Sequence, residues 1–167
     1  KYYAEALRKT SGKLDGLDFR LHDFGFRGVS STQSGYLGGM AHLTSFKGTD
    51  TLPALYATDF FYTLDPSVEI AGFSVPASEH GVMTALGEEG EPDIIEMLLK
   101  EIPSGTLSVV SDSFDIYRNV TEYVCGRFRN QIMNRDGCYV VRPDSVTPRH
   151  PDPVDQIIWI YDELWRA

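Results

Sequence analysis

The hydrophobic pattern switches repeatedly between helical and strand-like spacing along the 167 residues. Residues 1–11 (KYYAEALRKTS) have helical spacing, and a turn leads into a short strand over 18–24, DFRLHDF. Small and polar residues make a weak helix from Thr32. HLTSF, 42–46, reads as a strand entering KGTDT, and PALYATDFFY, 53–62, as a helix with proline in its first turn. A strand over 69–77, EIAGFSVPA, precedes a helix beginning with EHGVMTALG. EPDIIEMLLKEI is a clearer helix, with Ile94, Leu98 and Ile102 on one face. TLSVVSDS is a β-branched buried strand, and residues 114–133 form one long helix. GCYVVRPDS is a strand again, and DPVDQIIWIYDELW closes the chain as an amphipathic helix.

Strands that alternate with helices and are apolar enough to be buried on both faces imply a parallel α/β sheet or barrel. GEEGE, 87–91, reads as a solvated turn, and Ser78 as the cap of the helix that carries His80. The chain starts at Lys1 rather than Met and stops at Ala167 in helix-like runs, the pattern of a segment of something longer.

Composition narrows the partners. Hydrophobic content of 42% and charged content of 23% are those of a globular chain. A net charge of −9 argues against nucleic acid as the main partner, yet leaves room for a small anion held by focused arginines. No apolar run is long enough for a membrane span. Cys125 and Cys138 match neither a zinc spacing nor a disulfide framework, which predicts free, mostly buried thiols and a cytoplasmic location.

The unusual residues fall where strands end: HDFGFRG, FKGTD, SVPASEH, VVSDSFD and VVRPDS. In parallel α/β folds those ends share one edge, and ligands bind there. Arg27, Lys47, Asp50, His80, Asp112, Asp115, Arg142 and Asp144 are then expected on one rim. Any one Asp or Ser after a strand is equally well explained as a helix N-cap. Arg27 and Arg142 offer planar forks for phosphate or carboxylate. Asp112 and Asp144 suit Mg²⁺ against a pyrophosphate, and Phe24 and Phe26 suit an aromatic ring. This chemistry describes an enzyme handling a phosphorylated ligand, and leaves open an aldolase-like barrel or a glycosyl transfer.

LHDFGFRGVSS, AHLTSFKGTDT, GFSVPASEH, LSVVSDSFDIY and VVRPDS, in that order, resemble the nicotinamide phosphoribosyltransferases of the type II phosphoribosyltransferase group. The likeness runs from about Thr10 to Ser145. It implies an α/β fold, an incomplete irregular barrel. Residues 1–167 form part of its catalytic domain, without the family's N-terminal segment and its C-terminal phosphate-binding loops. It implies a pentosyltransferase of NAD biosynthesis that joins nicotinamide to phosphoribosyl pyrophosphate, stimulated by ATP, with Mg²⁺, as a cytoplasmic homodimer. The isolated chain is not expected to turn over.

Read through that resemblance, Phe24 stacks on nicotinamide and Arg27 lies beside it. Asp50 accepts a hydrogen bond from the carboxamide, which disfavours nicotinate by like charge. Ser74, Val75 and Ala77 wall the pocket, and His80 is the histidine phosphorylated by ATP. Ser108, Asp112, Arg142 and Asp144 surround base, ribose and Mg²⁺–pyrophosphate, with His80, Asp144 and Arg142 as catalytic residues. Two alternatives remain, a nicotinate phosphoribosyltransferase and a non-catalytic nicotinamide-binding module. Asp50 weighs against the first and the joint presence of Phe24, Arg27, Asp50, His80 and Arg142 against the second. One departure stands out: Val146-Thr147-Pro148 follows RPDS where the family usually has Gly-Asn-Pro, so that turn must be built differently.

Overall fold

A computed structural model describes residues 1–62 and 70–167, which divide into two compact units, Lys1–Ser74 and Val75–Ala167. In the first unit, α1 (Tyr2–Thr10) leads through a 3₁₀ turn, Leu17–Phe19, to β1 (His22–Asp23). A second 3₁₀ turn, Gly25–Gly28, precedes α2 (Thr32–Leu43), β2 (Gly48–Thr49) and α3 (Leu52–Tyr62). The Ser31 hydroxyl caps α2 by accepting from the Ser34 amide at 3.1 Å. β1 and β2 are parallel, with His22 opposite Gly48 and Asp23 opposite Thr49. Phe73 extends the pairing in parallel, accepting from the Thr49 amide at 2.9 Å and donating to the Lys47 carbonyl at 2.7 Å.

α2 lies close against α3 because glycine faces it. A Cβ on Gly39 would fall 2.3 Å from the Ala54 Cβ, and one on Gly35 would fall 2.7 Å from the Phe26 ring. That contact also overturns the strand expected at 42–46. The helix continues through His42 and Leu43, and the Phe46 amide closes the turn on the His42 carbonyl at 2.9 Å. A short apolar run has no period of its own, and the packing of α2 decides its state. The strand expected over 18–24 shrinks to two residues, because its start is taken by the 3₁₀ turn.

The second unit holds α4 (His80–Met83), a 3₁₀ turn (Glu88–Gly90), α5 (Glu91–Glu101) and β3 (Ser104–Val110). Then come α6 (Ile116–Arg118), a wider π-helical stretch (Asn119–Arg127), α7 (Arg129–Asn134), β4 (Asp136–Arg142) and α8 (Pro153–Arg166). β3 and β4 run parallel in register from Ser104 opposite Asp136 to Val110 opposite Arg142, and Ala77 bridges Ser108 in parallel. Met83, Ile95, Leu107, Val109, Val110 and Phe128 form the centre of its core. Ile116, Val120 and Ile160 form a second cluster under α8.

Three further expectations change here. The strand placed at 69–77 is two isolated bridges, at Phe73 and Ala77; its first residue lies outside the described residues. The single helix of 114–133 is three pieces, with the Phe128 amide reaching back five residues to the Tyr123 carbonyl at 2.8 Å. Glu91, read as part of a solvated turn, is fully buried at the start of α5. Its Oε1 accepts from Asn119 Nδ2 at 3.3 Å, its Oε2 is unpartnered among the described residues, and burial pushes its carboxyl above the ordinary range.

Candidate active site in two clusters

Parallel pairing in the first unit brings three loops together. β1 ends at Asp23, so Phe24 leaves the strand end directly, and Asp50 follows β2. The Asp50 amide donates to the Asp23 carbonyl at 2.9 Å, which ties the two loops at their base. The Phe24 ring stacks on His22 at 4.3 Å with an interplanar angle of 26°. His22 Nε2 lies 3.4 Å from Asp50 Oδ2, and the Ser74 hydroxyl donates to Asp50 Oδ1. Asp23 turns its own carboxylate back to the Gly25 amide at 2.8 Å, shaping the FGFRG turn. His22, Asp23 and Phe24 line a cleft of about 600 Å³ together with Phe26, Gly38 and Thr51 among others, and Asp50 and Ser74 lie outside that lining. A half-exposed ring and a carboxylate held from two sides suit a flat ligand with a hydrogen-bond donor at its rim.

Three other loops meet in the second unit. His80 begins α4; its Nε2 lies 3.2 Å from Asp144 Oδ2 and its Nδ1 3.0 Å from Ser113 Oγ. A carboxylate only accepts, so in the neutral ring the proton sits on Nε2 and the Nδ1 lone pair faces the Ser113 hydroxyl. Asp112 Oδ2 accepts from the amides of Asp144 at 2.9 Å and Ser145 at 2.6 Å, which sets the RPDS loop. Asp112 Oδ1 is buried and takes no hydrogen bond among the described residues. The Arg142 guanidinium donates to the Ser78 carbonyl at 2.5 Å and so braces the segment that presents His80. Ser78 is buried and accepts from the Val110 amide at 3.0 Å instead of capping α4, whose N-cap is Glu79.

The structure thus gathers Phe24, Asp50 and Ser74 in one cluster and His80, Asp112, Arg142 and Asp144 in the other. Ser108 is buried and joined through its backbone to Pro76 and Ser78, while Val75 is exposed. Arg27 is exposed at the end of its 3₁₀ turn and forms no side-chain bond with the described residues. Lys47 does not join Asp50; it lines a groove with residues of α2 and α3. Asp115 is an N-cap, accepting from the Tyr117 amide at 2.8 Å. The turn that departs from Gly-Asn-Pro is clamped by buried Gln156, which accepts from the Thr147 amide at 3.1 Å and donates to the Ser145 carbonyl at 2.8 Å. The residue chemistry alone missed His22 and Ser113. Both lie inside quoted motifs, and only the fold names their partners.

Parallel pairing of short strands alternating with helices, with polar side chains beyond the strand ends, is an α/β arrangement. The chain belongs to the nicotinate phosphoribosyltransferase family, whose sequence profile matches residues 19–166. It is 43% identical to a nicotinamide phosphoribosyltransferase of Xanthomonas campestris pv. campestris over 95% of this chain and 33% of that protein. It is 35% identical to a nicotinamide phosphoribosyltransferase of Acinetobacter baylyi over 84% of this chain and 28% of the relative. A Mycoplasma pneumoniae protein of the same name is 34% identical over 82% of this chain and 27% of its own length. The chain therefore spans about a third of the length of the curated relatives it matches. Among the described residues no helix is long and apolar enough to cross a membrane.

Proposed function

We propose that the protein carrying this chain transfers phosphoribosyl from phosphoribosyl pyrophosphate to nicotinamide, giving nicotinamide mononucleotide and pyrophosphate. The observation that carries the choice of base is Asp50, a half-exposed carboxylate beside the stacked rings of His22 and Phe24. A carboxamide donates its N–H to that group, whereas nicotinate would bring a second negative charge against it. The relatives' names support the same base. In this reading Phe24 stacks on the pyridine, Ser74 holds Asp50 beside it, and Arg27 reaches the ligand phosphate. The pyridine nitrogen attacks ribose C1 while pyrophosphate leaves, so the protein supplies position and charge. No general base is called for, because that nitrogen carries no proton.

The second cluster serves the phosphates. Asp112, with one buried oxygen unpartnered, and Asp144 fit the one or two carboxylates that Mg²⁺ takes beside substrate phosphates. The ion would screen charge on the leaving pyrophosphate. Arg142 and Ser108 shape the surroundings, and His80 is the phosphoryl acceptor from ATP, oriented by Asp144. An irregular α/β barrel, a homodimer and a cytoplasmic location complete the reading.

The test is base selection by the intact protein with phosphoribosyl pyrophosphate and Mg²⁺, the mononucleotides being separated by chromatography. Nicotinamide is expected to exceed nicotinate in kcat/KM by about 100-fold, the scale of a like-charge contact. D50A should erase most of that preference. A preference for nicotinate, or a D50A variant that keeps the parent's ratio, would overturn the proposal.

A further inference from the structure

Nothing in the reaction as proposed uses His22, yet it touches both groups that recognise the base. Its ring covers one face of Phe24 at 4.3 Å, and its buried Nε2 lies 3.4 Å from Asp50 Oδ2, an ion-pair distance without hydrogen-bond alignment. It is half-buried, with 25% of its side-chain surface exposed against 40% for Asp50. The backbone places it there: His22 pairs with Gly48 in the β1–β2 register, and Asp50 follows two residues beyond Gly48. Gly48 leaves the space the ring occupies, since a Cβ there would lie 2.8 Å from His22 Nδ1 and 3.2 Å from the Leu21 carbonyl.

We infer that His22 is a positioning residue for base specificity, holding the Asp50 carboxylate and the Phe24 ring in one fixed relation. The inference rests on the proposed roles of Asp50 and Phe24. His22 Nε2 is buried and makes no hydrogen bond among the described residues, so its hold on Oδ2 is the close polar contact at 3.4 Å, while the Ser74 hydroxyl donates to Oδ1. Flanked by His22 at one oxygen and bonded by Ser74 at the other, the carboxylate is restrained, and each oxygen keeps lone-pair capacity for a ligand N–H. The ring contact does the second half of the work. It fixes the plane of Phe24, and with it the plane in which a pyridine must lie. A ligand held in that plane presents its carboxamide to Asp50 in only one way round. His22 therefore acts on selection of the base and not on the departure of pyrophosphate.

Three substitutions in the intact protein separate these roles. H22F keeps a flat ring and loses the donor. H22Q keeps a donor at the reach of Nε2, and H22N carries one too short to reach Asp50. The readouts are KM and kcat for nicotinamide, KM for phosphoribosyl pyrophosphate, and the nicotinamide-to-nicotinate ratio of kcat/KM, with D50A alongside. H22F and H22N are expected to raise the nicotinamide KM about tenfold and lower the ratio about tenfold, the worth of one close polar contact to a carboxylate. kcat and the KM for phosphoribosyl pyrophosphate should stay near the parent values. H22Q should recover most of the preference. A destabilised fold would move both substrates' KM values together and would not separate H22Q from H22N. If D50A removes the preference while H22F, H22N and H22Q all keep it, the positioning role is wrong and the reading of Asp50 stands. If D50A itself keeps the preference, the reading of Asp50 has failed first.

Discussion

Adding one methyl group at Gly39 tests how the cleft beside Phe24 is built. The new Cβ would sit 2.3 Å from the Ala54 Cβ, at least 1.1 Å inside the 3.4 Å where ordinary contact begins. Both atoms are fixed to helix backbones, so no side chain can rotate to make room. α2 must move away from α3, or both must bend. Overpacking of this kind costs about 3 kcal/mol, and alanine's better helix propensity returns about 1. G39A is therefore expected to lose about 2 kcal/mol. A54G removes the opposing methyl and should also lose about 2 kcal/mol, from lost burial and lost propensity. Combined, they only move the methyl from one helix to the other, and the double variant should return to within about 1 kcal/mol of the parent. That is a coupling of about 3 kcal/mol where independent sites would add. Amide hydrogen exchange in α2 of the intact protein reads these local free energies directly. Gly39 lines the same cleft as Phe24, so if nicotinamide stacks on Phe24 as proposed, the single variant should weaken nicotinamide use and the double should restore it. Additive losses, with the double variant worse than either single one, would refute the packing argument.

Glu91 predicts a pH dependence of stability. Because burial raises its carboxyl above 4.5, the folded chain holds this proton more tightly than the unfolded chain. Stability therefore falls as pH rises from 4.5 through the raised folded value, and E91Q lacks that loss. E91Q should melt above the parent at neutral pH, with the gap closing as pH falls toward 4.5; curves that stay parallel across this range would contradict the burial argument. The two free thiols should also separate in rate. Cys138 is exposed on β4, whereas Cys125 is half-buried and burial raises its thiol, so iodoacetamide with mass spectrometry should label Cys138 first. Equal labelling rates would place Cys125 nearer the surface than the fold allows.

Residue type carries far in this chain wherever an element is long or its chemistry sits at a strand end. α5 and α8 are legible because their apolar residues recur at helical spacing over three or more turns. β3 and β4 are legible because β-branched runs of that length pair in parallel, and burial is confined to residues 107–110 of β3, β4 having no buried residue. Short apolar runs behave otherwise. HLTSF and EIAGFSVPA have no period that separates strand from helix or bend, and the close packing of α2 on α3 settles the first of them. The π-helical stretch has the same apolar spacing as an α-helix, and its wider hydrogen bonding leaves no mark on composition. Glu91 looks solvated beside Glu88 and Glu89 because its burial depends on Asn119, 28 residues away.

The same division holds inside the candidate site. Phe24, Asp50, His80 and Asp144 are legible because aromatic, acidic and imidazole groups beyond parallel strands have few structural reasons to recur together. Their partners are set by register. His22 reaches Asp50 only because β1 aligns it with Gly48; a slip of one residue would turn its side chain to the opposite face. Arg142 shows the reverse limit. Its charge suggests a direct hold on phosphate, yet the fold commits part of its guanidinium to the Ser78 carbonyl, two residues before His80. A guanidinium braced in this way can act on the reaction through the histidine segment it supports, as well as through any anion that comes within its reach. Charge alone therefore places Arg142 near the chemistry, and the hydrogen bond says which backbone it holds still.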